Sequence, residues 1–361
     1  MGFYALIMAG GTGTRLWPAS RRDRPKQTLE LVGERTMFEH AVDRIAPVFP
    51  PDHIFVVAGS EHVSDLADQA PELPTQNFIV EPVGRGTAPA IGLGAIHLQH
   101  QDADAVMAVL TADHFIADIE RFQRVLKAAA EVARDGHLVT LGIEPASPST
   151  GYGYIQQGAA MEQTGGFDVF RVERFTEKPD QETAVEMVQS GEYTWNSGMF
   201  IWSVNRIMEE FQCQMPDFYV KLSEVQGALG SDSYGSTLNH VWPTINKQSI
   251  DYGVMEGAND VAVIPIDIGW SDVGSWGSLA ELLAGLGEED EYGNVIVGEH
   301  VGIDTQHTMV FGTERLIATI GLEDVVIVDV GDAVLVCPMD REQEVRELVH
   351  RLEREEMDQY L

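Results

Sequence analysis

Only two cysteines, Cys213 and Cys337, occur in the chain. They lie far apart and outside any metal-ligand spacing, so a disulfide framework and a cysteine-based zinc site are excluded by count. Two free thiols in a reducing compartment are expected. No apolar run approaches the roughly 18 residues that a membrane span needs. The opening segment, Met1 to Gly11, has no basic n-region and an apolar stretch too short for a secretory signal, which points to a cytoplasmic protein. Positive charge is scarce: 23 lysines and arginines face 57 acids, for a formal net charge of −34. Lysine is confined to Lys26, Lys127, Lys178, Lys221 and Lys247. A surface this acidic repels nucleic acid and anionic membrane, so neither partner is expected. Acid-rich, lysine-poor composition also matches proteins adapted to high salt, where screening relieves self-repulsion.

What is present suits a large core, with 44% hydrophobic residues over 361 positions. Up to about residue 285, short apolar runs alternate with helical patterns, the order of a mostly parallel sheet covered on both faces. Strands are expected at Phe3–Met8, Ile54–Ala58, Phe78–Val80, Ala105–Leu110, Leu138–Ile143 and Val261–Ile266, and helices at Thr36–Val48, Thr87–His100 and Ile119–Arg134. Tyr152–Gln156, Phe167–Phe175 and Thr194–Trp202 read as antiparallel additions. Beyond Gly285–Gly293 the texture changes to short β-like pieces (Val295–Val297, Thr308–Phe311, Leu316–Ile320, Val325–Val330, Ala333–Val336) and a charged amphipathic helix from Arg341 to about Met357. Two domains are therefore expected, residues 1–285 and a small β appendage with a helical tail at 286–361. The appendage and the tail helix are natural surfaces for a homodimer.

Against the acidic background, Arg15, Arg21, Arg22, Arg24 and Lys26 crowd into twelve positions, where an even spread would put about one. The cluster is either a solvated basic face or an anion site. It directly follows the turn Ala9-Gly10-Gly11-Thr12-Gly13-Thr14, which favours the second reading, because glycines let backbone N–H groups approach a phosphate with no Cβ in the way. The turn is not a P-loop, since no Gly-Lys-Ser/Thr follows at the required spacing. Nor is it the dinucleotide fingerprint, because Leu16 stands where the third glycine belongs.

Asp113 and His114 follow the strand ending at Leu110. An acid at the carboxyl end of a parallel strand is well placed for Mg²⁺, or it caps the segment that follows. Asp272, between Trp270 and Trp276, reads as a second metal acid or as the cap of a helix near Gly274, with Asp267 as its rival. Glu81 leads the stretch to Ala90; a carboxylate against a base edge would accept from guanine N1–H and N2–H₂, a donor pair that adenine lacks. Glu177-Lys178-Pro179 can present a carboxylate to sugar hydroxyls and an ammonium to phosphate. Trp195–Phe200 and Thr150–Tyr154 are polar-plus-glycine interruptions, compatible with bulges or packing glycines. The histidines show no ligand spacing, and no Ser–His–Asp arrangement with a nucleophile elbow is present.

Taken in order, these segments resemble the sugar-1-phosphate nucleotidyltransferases, and within them the guanylyl branch that acts on mannose 1-phosphate. The resemblance is carried by Gly10–Pro18 with Pro25-Lys26-Gln27, by Glu81–Ala90, by Asp113-His114, by Thr150–Tyr154, by Phe175–Asp180, by Trp195–Phe200, by Ser249–Tyr252 and by Gly269–Trp276. It implies an α/β fold with a Rossmann-like, mostly parallel sheet and a small β-helix-like C-terminal domain. The implied reaction makes GDP-mannose and pyrophosphate from GTP and mannose 1-phosphate, with Mg²⁺ as cofactor. By the same resemblance, Arg15, Lys26 and Asp113 are catalytic, and Asp113 and Asp272 hold the metal. Gly10, Gly11, Gly13 and Thr14, with Arg15 and Lys26, meet the GTP phosphates, while Glu81, Gly86 and Thr87 line the base pocket. Gly151, Glu177 and Asn196 meet the mannose and Lys178 its phosphate. The sequence departs from the family pattern in having Gly86 where asparagine is usual, and Thr111-Ala112 before the Asp-His pair. Many relatives carry a fused isomerase domain; this chain is expected to end before one. The alternatives are the same chemistry on another sugar 1-phosphate and a silent nucleotide-sugar-binding subunit.

Overall fold

The computed structural model describes residues 1–11 and 13–361, so Thr12 of the glycine-rich turn lies outside the described residues. Two compact units emerge, and neither is continuous in sequence. The first comprises residues 1–10, 41–112 and 116–270; the second comprises 11–40, 113–115 and 271–361.

The first unit is built on a nine-stranded sheet in the order Phe78–Glu81, Ile54–Gly59, Phe3–Ala9, Val106–Thr111, Tyr193–Ser203, Leu138–Ile143, Val261–Ile266, Phe170–Thr176, Tyr154–Ala160. The first four strands run parallel, with Ala5 opposite Ile54 and Phe3 opposite Val106. Their sequences are nearly unbroken apolar runs because both faces are covered: Ala5, Leu6 and Ile7 have no exposed surface. Tyr193–Ser203 then enters antiparallel to both neighbours, while Val261–Ile266 returns parallel to Leu138–Ile143. The two outer strands, Phe170–Thr176 and Tyr154–Ala160, pair antiparallel.

The helix Thr87–Gln101 is buried along most of its length, which its even apolar distribution permits. Gly92 and Gly94 let it sit close to its neighbours, since a Cβ at Gly94 would fall inside the Leu6 side chain. Ile119–Arg134 is instead sharply amphipathic, and Asp118 caps it by accepting from Arg121 N at 2.9 Å. The helix expected at Thr36–Val48 is shorter, Met37–Asp43, and dissolves into turns before Phe49.

In the second unit, Leu16, Trp17, Leu29, Leu31 and Met37 share one core with Trp276 and Leu279 of the helix Trp276–Gly285 and with the C-terminal strands. Val295–Val297, Met309–Gly312 and Val325–Asp329 stack in parallel, and Val334–Pro338 closes the sheet antiparallel. A second parallel ladder joins His300–Ile303 to Ile317–Ile320, giving the two-sided coil of a β-helix. His300–Ile303 escaped the sequence reading because its apolar residues face outward. The tail helix is Val345–Arg354, preceded by a tighter 3₁₀ turn, Met339–Glu344.

Packing without slack at Gly94 makes it a sensitive position. Gly94→Val is expected to lower the unfolding free energy by about 1–3 kcal/mol through overpacking. Urea titration checks this, and an unchanged midpoint would mean Leu6 moves aside without cost.

Candidate functional site

In the second unit the glycine-rich turn and the basic cluster converge on one buried lysine. Gly11 and Gly13 adopt φ of +103° and +63°. At Gly13 a Cβ would lie 2.6 Å from the Cβ of Lys26, so glycine is needed both for the turn and for the lysine's passage. Thr14 opens the 3₁₀ turn Thr14–Leu16, and Ser20 Oγ donates to Gly13 O at 2.6 Å. Lys26 is only 4% exposed. Its Nζ donates to Asp113 Oδ2 at 2.9 Å and to the main-chain oxygen of Asp272 at 2.5 Å. Burial alone would push the Asp113 carboxyl up; the Lys26 ammonium, with His114 beside it, outweighs that and holds it below the usual carboxylate value.

Neither acid caps a helix. Asp118 caps Ile119–Arg134, and Ser275 caps Trp276–Gly285 through a reciprocal capping box with Ser278. The Asp272 carboxylate instead accepts from Gly274 N at 3.1 Å. An added Cβ at Gly274 would lie 2.5 Å from Asp272 Oδ2 and 3.1 Å from a guanidinium nitrogen of Arg15, so Arg15 and Asp272 flank the same glycine. Arg15 also donates to Gln343 Oε1 at 3.2 Å. Asp267, the rival acid, turns back on Gly269 N at 3.2 Å.

The five-residue basic cluster does not act as one anion site. Arg21 makes a two-pronged pair with Asp332, at 2.7 and 2.6 Å, and Arg22 reaches Glu353 and Asp358. Local acid of the C-terminal region takes these two charges, which leaves Arg15 and Lys26 as the members gathered around the metal-type acids.

In the first unit, Glu81 is buried rather than on the surface. Its Oε1 accepts from Arg85 N at 2.7 Å and from Trp242 Nε1 at 3.3 Å, so the carboxylate holds the loop that follows it. Burial pushes this carboxyl up, against the opposing pull of these donors. Gly86, at φ +90°, lies so close to the segment beyond residue 247 that a Cβ would stand 2.5 Å from Gln248 O. The usual asparagine has no room for its Cβ there as the two loops now lie. Thr87 Oγ1 accepts from Ile250 N at 2.8 Å.

A second polar group gathers Gly153, Glu177, Asn196 and Asp251. On the strand Tyr193–Ser203, Asn196 pairs with Gly142 and Phe200 with Thr140, so Ser197 and Gly198 bulge out between them. Ser197 Oγ ties the bulge to Leu141 O at 2.7 Å, and Gly198 takes φ +70°. The bulge aims Asn196: its Oδ1 accepts from Gly198 N at 3.1 Å, which directs Nδ2 to Asp251 Oδ1 at 2.9 Å. Glu177 Oε1 accepts from Lys178 Nζ at 2.6 Å, while Oε2 is buried without a hydrogen-bond partner. A Cβ at Gly153 would clash with that oxygen. Lys178 itself is exposed and has φ +45°, an uncommon backbone for lysine. Gly151 is exposed, its N–H held by Ser149 Oγ at 3.1 Å.

Sequence reading missed Asp251, Gln248 and Gln343. The first lay inside a quoted motif, Ser249–Tyr252, but nothing in its spacing marked the carboxylate. Gln343 sits 328 residues from its partner.

The residues present fit a hard divalent cation. Asp113 and Asp272 offer carboxylate oxygens beside two fixed cations, and Mg²⁺ ordinarily takes one or two carboxylates and completes its shell with water and phosphate. Among the described residues no group of three or more His, Cys, Asp or Glu is arranged to hold a metal.

A strand leading into a phosphate-type glycine turn, a buried lysine and paired acids define the class: an α/β transferase of nucleotidyl groups. The chain belongs to the nucleotidyl transferase family, whose model matches residues 4–289, and residues 298–352 match the MannoseP isomerase/GMP-like beta-helix domain. It is 43% identical to the xanthan biosynthesis protein XanB of Xanthomonas campestris pv. campestris (strain B100), over 96% of this chain and 72% of that protein. It is 39% identical to a mannose-1-phosphate guanylyltransferase of Escherichia coli (strain K12), over 97% of this chain and 73% of that one. A crystal structure described as a mannose-1-phosphate geranyltransferase from Thermus thermophilus superposes with a TM-score of 0.88 at 37% identity, covering 98% of this chain and all of that one.

The Lys26–Asp113 pair predicts a pH signature. Asp113→Asn should cost about 1.5–3 kcal/mol at pH 7, since a buried ammonium loses its counter-charge. Because the folded carboxyl is depressed, its contribution is complete above the unfolded value of about 3.9 and fades as pH falls through the folded one. Denaturant titrations at pH 7, 5 and 3 should therefore show wild type and variant converging at the acid end; a constant gap would contradict the pairing.

Proposed function

We propose that the chain is a mannose-1-phosphate guanylyltransferase, which converts GTP and α-D-mannose 1-phosphate to GDP-mannose and pyrophosphate. The observation that carries the reading is the buried Lys26 ammonium, held between Asp113 and the Asp272 carbonyl beneath Gly13. Near full-length similarity to a guanylyltransferase supports the choice of substrates.

A phosphate oxygen of the sugar attacks the α-phosphorus of GTP in line, and the bond to the β-phosphate breaks as pyrophosphate departs. No covalent enzyme intermediate is required, so the work is positioning and neutralising charge. Gly10, Gly11, Gly13 and Thr14 offer backbone N–H groups to the triphosphate, while Arg15 and Lys26 stabilise the charge that develops on the leaving group. Asp113 and Asp272 would hold Mg²⁺, which supplies Lewis-acid neutralisation of the phosphates when bound. Glu81, Gly86 and Thr87 line the base pocket. Since Glu81 Oε1 is committed to Arg85 N, guanine selection falls to its second oxygen and to the backbone it fixes. Gly151, Glu177 and Asn196 take the hexose, with the unpartnered Oε2 of Glu177 as the acceptor for a hydroxyl, and Lys178 takes the sugar's phosphate.

Residues 1–285 form the catalytic part of this reading and 286–361 its β-helix part. Val301, Ile303, Leu316 and Ile320 are 52, 59, 59 and 73% exposed, an apolar strip that supports a homodimer through the β-helix. Among the described residues no helix is long and apolar enough to cross a membrane, which is compatible with a cytoplasmic enzyme. The net charge of −34 supports tolerance of high salt.

Pyrophosphate release with Mg²⁺, crossing GTP, ATP, UTP and dTTP with mannose and glucose 1-phosphates at low and molar salt, tests the reading directly. Turnover should be confined to GTP with mannose 1-phosphate and be abolished by chelation; another productive pair would replace the substrates, and silence of folded protein would leave a binding subunit. Light scattering on the same preparation should give twice the chain mass. Arg15→Ala and Lys26→Ala should each lose about 10²–10³ in rate, or about 2.7–4 kcal/mol. Glu81→Ala should narrow the preference for GTP over ATP, and an unchanged ratio would remove Glu81 from base selection.

A further inference from the structure

The segment after Gln248 carries a carboxylate that no role above uses. Ser249–Met255 is anchored on every side: Ile250 N is held by Thr87, Gly253 N by Ser249 O at 2.9 Å, and Ile250, Val254 and Met255 are buried. Asp251 opens a single wide turn, Asp251–Met255, within this anchored stretch. Its side chain is therefore held in place, half-buried, with Oδ1 bound by Asn196 Nδ2. The orientation of that amide is dictated by the bulge, because Asn196 Oδ1 is already taken by Gly198 N. The charged groups that face Asp251 are Glu177 and Lys178.

We propose that Asp251 is a specificity-determining residue for the sugar phosphate, its carboxylate accepting a hexose hydroxyl alongside the unpartnered Oε2 of Glu177. The neighbouring carboxylate shows that this pocket is built for a ligand: the buried Oε2 of Glu177, beside Asp251, has no hydrogen-bond partner within the fold. Two acceptors fixed on separate loops, with Asn196 between them, suit a polyol that donates several hydroxyls at once. Burial, with the Glu177 charge next, raises the Asp251 carboxyl to about 6, against the pull of its own backbone N–H, Asn196 and Lys178. The carboxylate form that accepts from a hydroxyl thus dominates above pH 6 and gives way below it.

This inference rests on the sugar-phosphate reading of the Glu177 and Asn196 cluster, and the test separates the two. Calorimetric Kd values for mannose 1-phosphate and glucose 1-phosphate are measured from pH 5 to 7.5 on wild type, Asp251→Asn and Asp251→Ala, beside steady-state KM for GTP. In Asp251→Asn, the mannose 1-phosphate Kd should rise about 10- to 100-fold at pH 7.5, the cost of a hydrogen bond to a charged acceptor. Its preference for mannose over glucose 1-phosphate should narrow, with KM for GTP within about two-fold. The ratio of variant to wild-type Kd should shrink toward one at pH 5, where Asp251 is protonated and resembles the amide. The ligand's own phosphate titrates in this range too, but equally for both proteins, so it cancels in the ratio.

A ratio that ignores pH, an unchanged Kd, or GTP and sugar affinities falling together would overturn the proposal, the last marking Asp251 as merely structural. Wild type that binds mannose 1-phosphate yet turns over no nucleotide would defeat the guanylyl reading and leave the Kd series to decide Asp251. Wild type that binds neither sugar phosphate would overturn both.

Discussion

An ammonium group sealed from water is the constraint on which the second unit depends. Three distant segments meet around Lys26: the glycine turn that makes room for its stem, Asp113, and the carbonyl of Asp272. Each partner is in turn fixed by something else. Asp272 folds back on Gly274, whose missing side chain leaves space for Arg15, and Ser20 pins the carbonyl of Gly13. Loosening any of these would leave a buried cation short of partners, a costlier error than any lost surface pair in this acidic chain.

The first unit solves a different problem, which is how to fix a group of carboxylates of which one oxygen, Oε2 of Glu177, is left unsatisfied by the protein itself. Arg85, Thr87 and Ala88 bind the segment carrying Gln248 and Ile250, so the loop after Glu81 and the turn of Asp251 form one continuous hydrogen-bonded platform. From the sheet side, the Ser197-Gly198 bulge turns Asn196 onto that platform. Side chains held this firmly have already given up most of their conformational freedom.

Much of this was legible in the chain. Apolar runs located Leu138–Ile143 and Val261–Ile266 to the residue, because strands covered on both faces have abrupt hydrophobic edges. The helix Ile119–Arg134 was equally plain from its apolar periodicity. Arg15, Lys26, Asp113 and Asp272 were identifiable as types and do gather in one unit. Less visible was anything set by long-range pairing. Nothing local shows that Arg21 and Arg22 answer to Asp332, Glu353 and Asp358, or that Tyr193–Ser203, legible as an antiparallel addition, sits in the middle of the sheet. The bulge at Ser197 could be read only as one option among several, since a glycine in a strand is silent about which partner residue it skips. Asp251 was hidden by its own ordinariness: an acid at a helical turn looks like any other until Asn196 is placed opposite it.

Trp17 donates its indole N–H to Tyr360 O at 2.7 Å, across 343 residues of sequence, and Trp276 donates to Trp17 O. The core that supports the glycine turn is thus assembled from segments hundreds of residues apart. During synthesis the glycine turn leaves the ribosome long before its packing partners, which lie 259 and 343 residues further along the chain. The nascent chain must therefore carry Leu16, Trp17 and Leu29 without their native cover until those partners emerge. A sequence with so much negative charge has a means of staying apart from its neighbours through that interval.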